Sequence, residues 1–198
     1  MPEFKSYKPQ NLFIIPLDST DTNLSENLLG GKGYNLVKLV ADGLNVPGGF
    51  IVTTEAFKYC MIATLASLKN CCISDAISEM SFPTRFKREL KKALKVFDKD
   101  FKNNIGVAVR SSAVGEDTSS ASAAGVQRTL LNVIGEDAVF DAIKKCWESL
   151  FLRESYLYRG RRSDTSNPAS MAVVVQRLVN SKKAGVLFTS KYLAYWFS

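Results

Sequence analysis

One stretch, VAVRSSAVGEDTSSASAAGVQRTLLNV (Val107 to Val133), constrains this chain more than any other. It begins as an apolar strand, carries a single arginine at that strand's end, crosses a run of Ser, Ala and Gly, and returns as a second apolar strand. A loop built from such small residues offers little burial to offset the entropy of ordering it. A fold that retains it therefore has two strands fixed by a sheet and a connection that a ligand can order. Arg110 is placed for such a ligand, because its planar fork suits bidentate binding to phosphate oxygens and never loses its charge. Ser111 and Ser112 add hydroxyls and amides beside it. A purely structural alternative pairs Arg110 with Glu116 or Asp117 and leaves the loop without a ligand.

A second element has the same character. In LLGGKGYNL, Gly30, Gly31 and Gly33 surround Lys32 and lead into a helical pattern with Leu36, Leu39 and Val40 on one face and Gly43 as its stop. Glycines let the main chain approach a ligand closely. A helix that starts there aims its unpaired amides at an anion. The element is not G-x-x-x-x-G-K-[ST], since Tyr34 and Asn35 follow Gly33. Alone it reads equally well as a turn entering a helix. Two remote elements, each with one lasting cation and a permissive backbone, read together as a phosphate site assembled from two subdomains.

Composition narrows the chemistry. The 198 residues include no histidine, which removes imidazole bases, Ser-His-Asp hydrolases and histidine phosphocarriers from this chain. Cys60, Cys71, Cys72 and Cys146 form no C-x-x-C pair, so they read as buried or idle thiols and no metal site is expected. The formal charge of +7 favours anionic partners. Much of it lies on the polar face of an amphipathic helix expected over Arg85 to Lys102, whose apolar face carries Phe86, Leu90, Ala93, Leu94, Phe97 and Phe101. That face reads as solvated; nucleic-acid and membrane roles are not expected. The polar N-terminus and the lack of a long apolar run lead to an expectation of a cytoplasmic protein.

Along the chain, strands are expected at Asn11 to Ser19, after the Pro47-Gly48-Gly49 turn, at Ile105 to Val109, at RTLLNV, and at MAVVVQRLV paired with AGVLFT. Thr53 or Thr54 is expected to cap a helix beginning EAFKYC. A long helix is expected from Gly135, with Val139, Ile143, Trp147, Leu150, Phe151 and Tyr158 on one side, and Lys69 to Pro83 as mixed helix and loop.

The pieces LLGGKGYNL, GLNVPGGFIVTTEAF, VAVRSSAVGEDTSSASAAG, TLLNV, CWESLFLRESYLYR and MAVVVQRLVNSKKAGVLFT resemble, in order and spacing, the N-terminal ATP-binding domain of the phosphoenolpyruvate synthase and pyruvate, phosphate dikinase family, which includes rifampin phosphotransferases. The resemblance implies an α/β (α+β) fold, an ATP-grasp-like nucleotide-binding domain represented by its N-terminal part, with a mixed sheet and flanking helices. It implies ATP as ligand, Lys32 with its glycines on the phosphates, and Arg110 as the catalytic cation that stabilises the transferred phosphoryl group. Ser122, Ala124 and Gly125 would fall on the loop that covers the phosphates. In this family ATP phosphorylates a histidine on a separate domain, which passes the group to pyruvate, an antibiotic or another acceptor.

Departures shape the expectation. The loop reads Ser122-Ala123-Ala124-Gly125-Val126-Gln127-Arg128-Thr129 where the family has S-F-A-G-Q-x-[DE]-T, so Ala123 and Arg128 differ. Residues 1–189 are assigned to the domain and 190–198, SKYLAYWFS, to a non-family aromatic tail. The Mg2+ ligands would lie in the later half of the family's ATP site, and the remaining domains or a partner chain would supply the histidine. The expectation is of a shortened member that binds ATP weakly and is catalytically incomplete, with a non-catalytic scaffold as the alternative.

Overall fold

A computed structural model describes residues 12–21, 23–67, 73–114, 128–151, 170–183 and 185. Five strands, β1 (Ile14–Pro16), β2 (Gly49–Val52), β3 (Val107–Ala113), β4 (Thr129–Val133) and β5 (Met171–Arg177), form one sheet in the order β1-β2-β5-β3-β4. The sheet expected to be mixed is antiparallel at every described pairing. Helices α1 (Glu26–Ala41), α2 (Thr54–Ser67), α3 (Ile73–Ser78), α4 (Thr84–Leu94), α5 (Asp98–Lys102) and α6 (Glu136–Ser149) flank it. The chain is a mixed α/β unit.

Side chains alternate across a strand, so each strand feeds two cores. Val107 and Val109 of β3, with Met171, Val173 and Val175 of β5, face a large core that includes residues of α2, α4 and α6. Trp147 is its centre, with ring centroids 5.4 Å from Phe57, 5.6 Å from Phe82 and 6.1 Å from Phe86. Ala172 and Val174 face the other way and pack with Leu29 and Val37 of α1 in a smaller core. Among the described core residues, α1 is thus the one helix on that side of the sheet, and it brings Lys32 to the face shared by Arg110.

Several expectations change in detail. Helix α1 starts at Glu26, ahead of the glycines, and is broken at Gly30, whose φ of 68° and ψ of 168° are not helical. After the break Val37 is buried and Leu36 and Val40 pack against the smaller core, while Leu39 is exposed. The basic helix keeps its amphipathic face, with Phe86, Leu90, Leu94 and Phe97 buried, but a 3-10 turn at Lys95–Phe97 divides it. The strand expected over Ile105 to Val109 begins at Val107 and runs on to Ala113, leaving Ile105 exposed. Arg110 therefore sits in mid-strand and not at the strand's end. Tyr158, the partner strand AGVLFT and the segment 190–198 lie almost wholly outside the described residues.

Thr53 caps α2 as expected. Its Oγ1 accepts from the Ala56 amide at 3.3 Å and donates to the Leu12 carbonyl at 2.7 Å, tying the helix start to the chain entering β1. Thr53→Ala removes both bonds and is expected to cost about 1–2 kcal/mol, read as a lower urea midpoint at unchanged m.

Candidate functional site

The site begins with Ser112. By strand alternation Ala108, Arg110 and Ser112 face α1, and Arg110 lies opposite Val174 on β5 and Thr129 on β4. The Ser112 hydroxyl reaches the α1 break directly. It donates to the Leu29 carbonyl at 3.0 Å and accepts from the Gly33 amide at 3.0 Å. Main chain meets main chain there, since a Cβ on Gly30 would stand 2.1 Å from the Ser112 carbonyl oxygen. Gly33 is also confined, because its Cβ would lie 3.0 Å from Ile51 Cδ1 of β2. The glycine element is thus pressed against β3 two residues from Arg110, on the sheet face to which Arg110 belongs.

Ser111 points to the opposite face and does different work. Its Oγ donates to the Arg128 carbonyl at 3.1 Å and accepts from the Arg128 amide at 3.0 Å, and its own amide bonds the same carbonyl at 3.0 Å. These bonds fasten the start of β4 to β3. Ser122, Ala124 and Gly125 lie outside the described residues. The hydroxyls of Ser111 and Ser112 are both engaged with main chain, so they hold the scaffold beside Arg110 and Lys32.

Charge collects at this corner. Cys146 of α6 is fully buried and its Sγ lies 3.9 Å from the Arg128 carbonyl. Burial pushes its thiol from an ordinary value of 9.0 up to about 12, while the charges of Arg128 and then Lys32 pull the other way. Both cations thus exert their charge on this one buried thiol. In the sequence Arg128 stands out only as a departure from a family pattern. The signal that could have found it is positional, a cation on the last residue before β4.

The thiols carry a pH consequence. Cys60 is also fully buried, and burial raises its pKa well above 9. A buried thiol keeps its proton while the unfolded thiol loses one, so above pH 9 the native state binds more protons and stability falls as pH rises. The thiols' contribution is complete below about pH 9 and declines toward pH 12, with a limiting slope of about 1.4 kcal/mol per pH unit per thiol. Urea titrations between pH 8 and 10.5 should show this decline, and Cys146→Ala should reduce its slope.

No described helix is long and apolar enough to cross a membrane. Among the described residues no group of three or more His, Cys, Asp or Glu could hold a metal ion. The charges of Arg128 and Lys32 at this corner are cationic, chemistry suited to an anion.

Comparison with known proteins gives the family. Residues 26–194 match the family described as pyruvate phosphate dikinase, AMP/ATP-binding domain. The chain is 36% identical to a probable phosphoenolpyruvate synthase of Archaeoglobus fulgidus over 199 residues, covering 90% of this chain and 26% of that protein. It is 31% identical to the phosphoenolpyruvate synthase of Pyrococcus furiosus, covering 84% and 27% respectively. It is 36% identical to a rifampicin phosphotransferase of Bacillus cereus, covering 82% and 21%. The chain thus spans about a quarter of the length of the relatives it matches. A match over most of its residues, on the elements that join the glycine-lysine turn to the arginine strand, leaves one conclusion: this chain belongs to the pyruvate phosphate dikinase AMP/ATP-binding domain family.

Proposed function

We propose that this chain is the ATP-binding portion of a phosphotransferase, in an ATP-grasp-like arrangement, and that Lys32 and Arg110 hold the triphosphate. One observation carries the reading: the Ser112 hydroxyl joins the Gly30–Gly33 element to the strand and face of Arg110. In phosphoryl transfer the protein supplies position and positive charge more than covalent chemistry. The Arg110 guanidinium binds phosphate oxygens bidentately, and Lys32 offers a point charge on a flexible stem. The Gly30–Gly33 turn seats the Lys32 segment against β3, and Arg128 adds to the local positive field. The loop bearing Ser122, Ala124 and Gly125 covers the nucleotide.

Magnesium supplies charge neutralisation in such reactions. The chain has no histidine, so a phosphocarrier histidine would sit on further domains or on a partner. The relatives are named for phosphoenolpyruvate synthesis and for rifampicin phosphorylation, so phosphoryl transfer is the shared part of the reading and the acceptor is the variable part.

Calorimetric titration of the chain with ATP, ADP, AMP and adenosine at fixed magnesium and ionic strength tests this. Affinity should rise with each phosphate, and the ATP enhancement over adenosine should shrink with added salt. Equal binding of ATP and adenosine, or no binding of either, contradicts it.

A further inference from the structure

We propose that Ser112 is a positioning residue: its hydroxyl is the N-cap of the α1 segment that carries Lys32, so the strand that holds Arg110 also sets where Lys32 stands.

The first amides of a helix lack intrahelical partners, and a side chain at the N-cap ordinarily accepts from the second or third of them. In the segment after the break the cap position is Gly30, which has positive φ and no side chain. It cannot have one, because a Cβ would lie 2.4 Å from Ser112 Oγ and 2.1 Å from the Ser112 carbonyl oxygen. The third amide after it is that of Gly33, and its partner is Ser112 Oγ. The serine on β3 thus takes the place of the side chain that Gly30 lacks, across 79 residues of sequence. Gly30 leaves the room, and Ser112 fills it with the missing acceptor.

Proton accounting fixes what else this hydroxyl can do. An amide only donates and a carbonyl only accepts, so Ser112 must accept from Gly33 and donate its single proton to Leu29. No proton remains for a phosphate oxygen, and the residue has no exposed surface. Ser112 therefore acts on a bound phosphate through the α1 segment, not as a ligand. Its main chain is in turn fixed by pairing with Ala172 of β5. The spacing of Lys32 and Arg110 then depends on one hydroxyl and two strands, not on the long chain between them.

The effect on nucleotide rests on the proposed ATP role; the cap does not. Amide hydrogen exchange of the unaltered chain tests the cap without nucleotide. The Gly33 amide, at a position usually open to solvent, should exchange at least about a hundredfold more slowly than an unstructured amide. Exchange at the unstructured rate overturns the cap. Ser112→Ala should speed Gly33 exchange about tenfold or more while leaving β5 amides unchanged. It should also weaken ATP binding about fivefold, the equivalent of one cap, with adenosine binding unaffected.

A double substitution separates positioning from mere structural support: in a Lys32→Ala background, Ser112→Ala should have no further effect on ATP affinity. A loss that persists undiminished there, or that extends equally to adenosine, overturns the positioning role. Failure of the unaltered chain to bind ATP removes that role together with the ATP reading, and Gly33 exchange still decides the cap.

Discussion

Gly30→Ala is expected to destabilise the chain by about 3–5 kcal/mol, while Gly43→Ala, also at positive φ, costs only about 1–2 kcal/mol. Both glycines have φ in the left-handed region, 68° and 78°. They differ in what surrounds them. Nothing lies within 4 Å of a Cβ on Gly43, whereas one on Gly30 meets main chain at 2.1 Å. The Ser112 main chain cannot step back, because β3 is an interior strand bonded to β5. Relief must come from α1 lifting away, which breaks the Ser112 bonds to Leu29 and Gly33, each contributing about 1 kcal/mol. Urea denaturation of the two variants against the unaltered chain reads the difference. Equal costs would mean that the two main chains are not in contact.

Arg110→Ala is expected to weaken ATP binding about tenfold to a hundredfold, the range of one or two charge-assisted hydrogen bonds. Adenosine binding should be unchanged. Arg110→Lys should recover part of the loss, since it restores the charge but not the planar fork. Stability should move the other way. Lys32 and Arg128 both act at the neighbouring corner, and the chain carries +7, so removing one cation relieves repulsion. A variant that loses ATP affinity yet unfolds at the same or a higher urea concentration separates a ligand role from a structural one. Unchanged ATP affinity would remove Arg110 from the site.

Local signals make much of the fold legible in the sequence. The Thr53 cap and the apolar run of β5 each announce themselves within a few residues and form where expected. Gly49, expected in a turn with Pro47 and Gly48, is already the first residue of β2, opposite Gln176. The elements that miss do so because distant residues decide them. A run of glycines reads as a helix start, and only contact with Ser112 turns it into a break inside a longer helix. Arg-Ser-Ser-Ala is as compatible with loop as with strand, and β5 pairing through Ala113 settles it as strand. Amphipathic periodicity runs through the basic segment without revealing the 3-10 turn, because Leu94 just before it and Phe97 at its end are both buried.

For the candidate site, residue types are legible and their division of labour is not. Lys32 and Arg110 stand out as cations beside small residues. That Ser111 and Ser112 point to opposite faces, one securing Arg128 and the other the α1 break, depends on strand alternation once β3 is known to extend that far. The +7 charge likewise has a local meaning that composition hides, since the charges of Arg128 and Lys32 both act on the buried Cys146 thiol.

The most direct measurement is a crystal structure of the chain with a non-hydrolysable ATP analogue. The account requires the Lys32 ammonium and the Arg110 guanidinium both within about 3.2 Å of oxygens of the same triphosphate, a hydrogen-bonding separation. A triphosphate touching only one of these cations, or lying on the opposite face of the sheet, would contradict it.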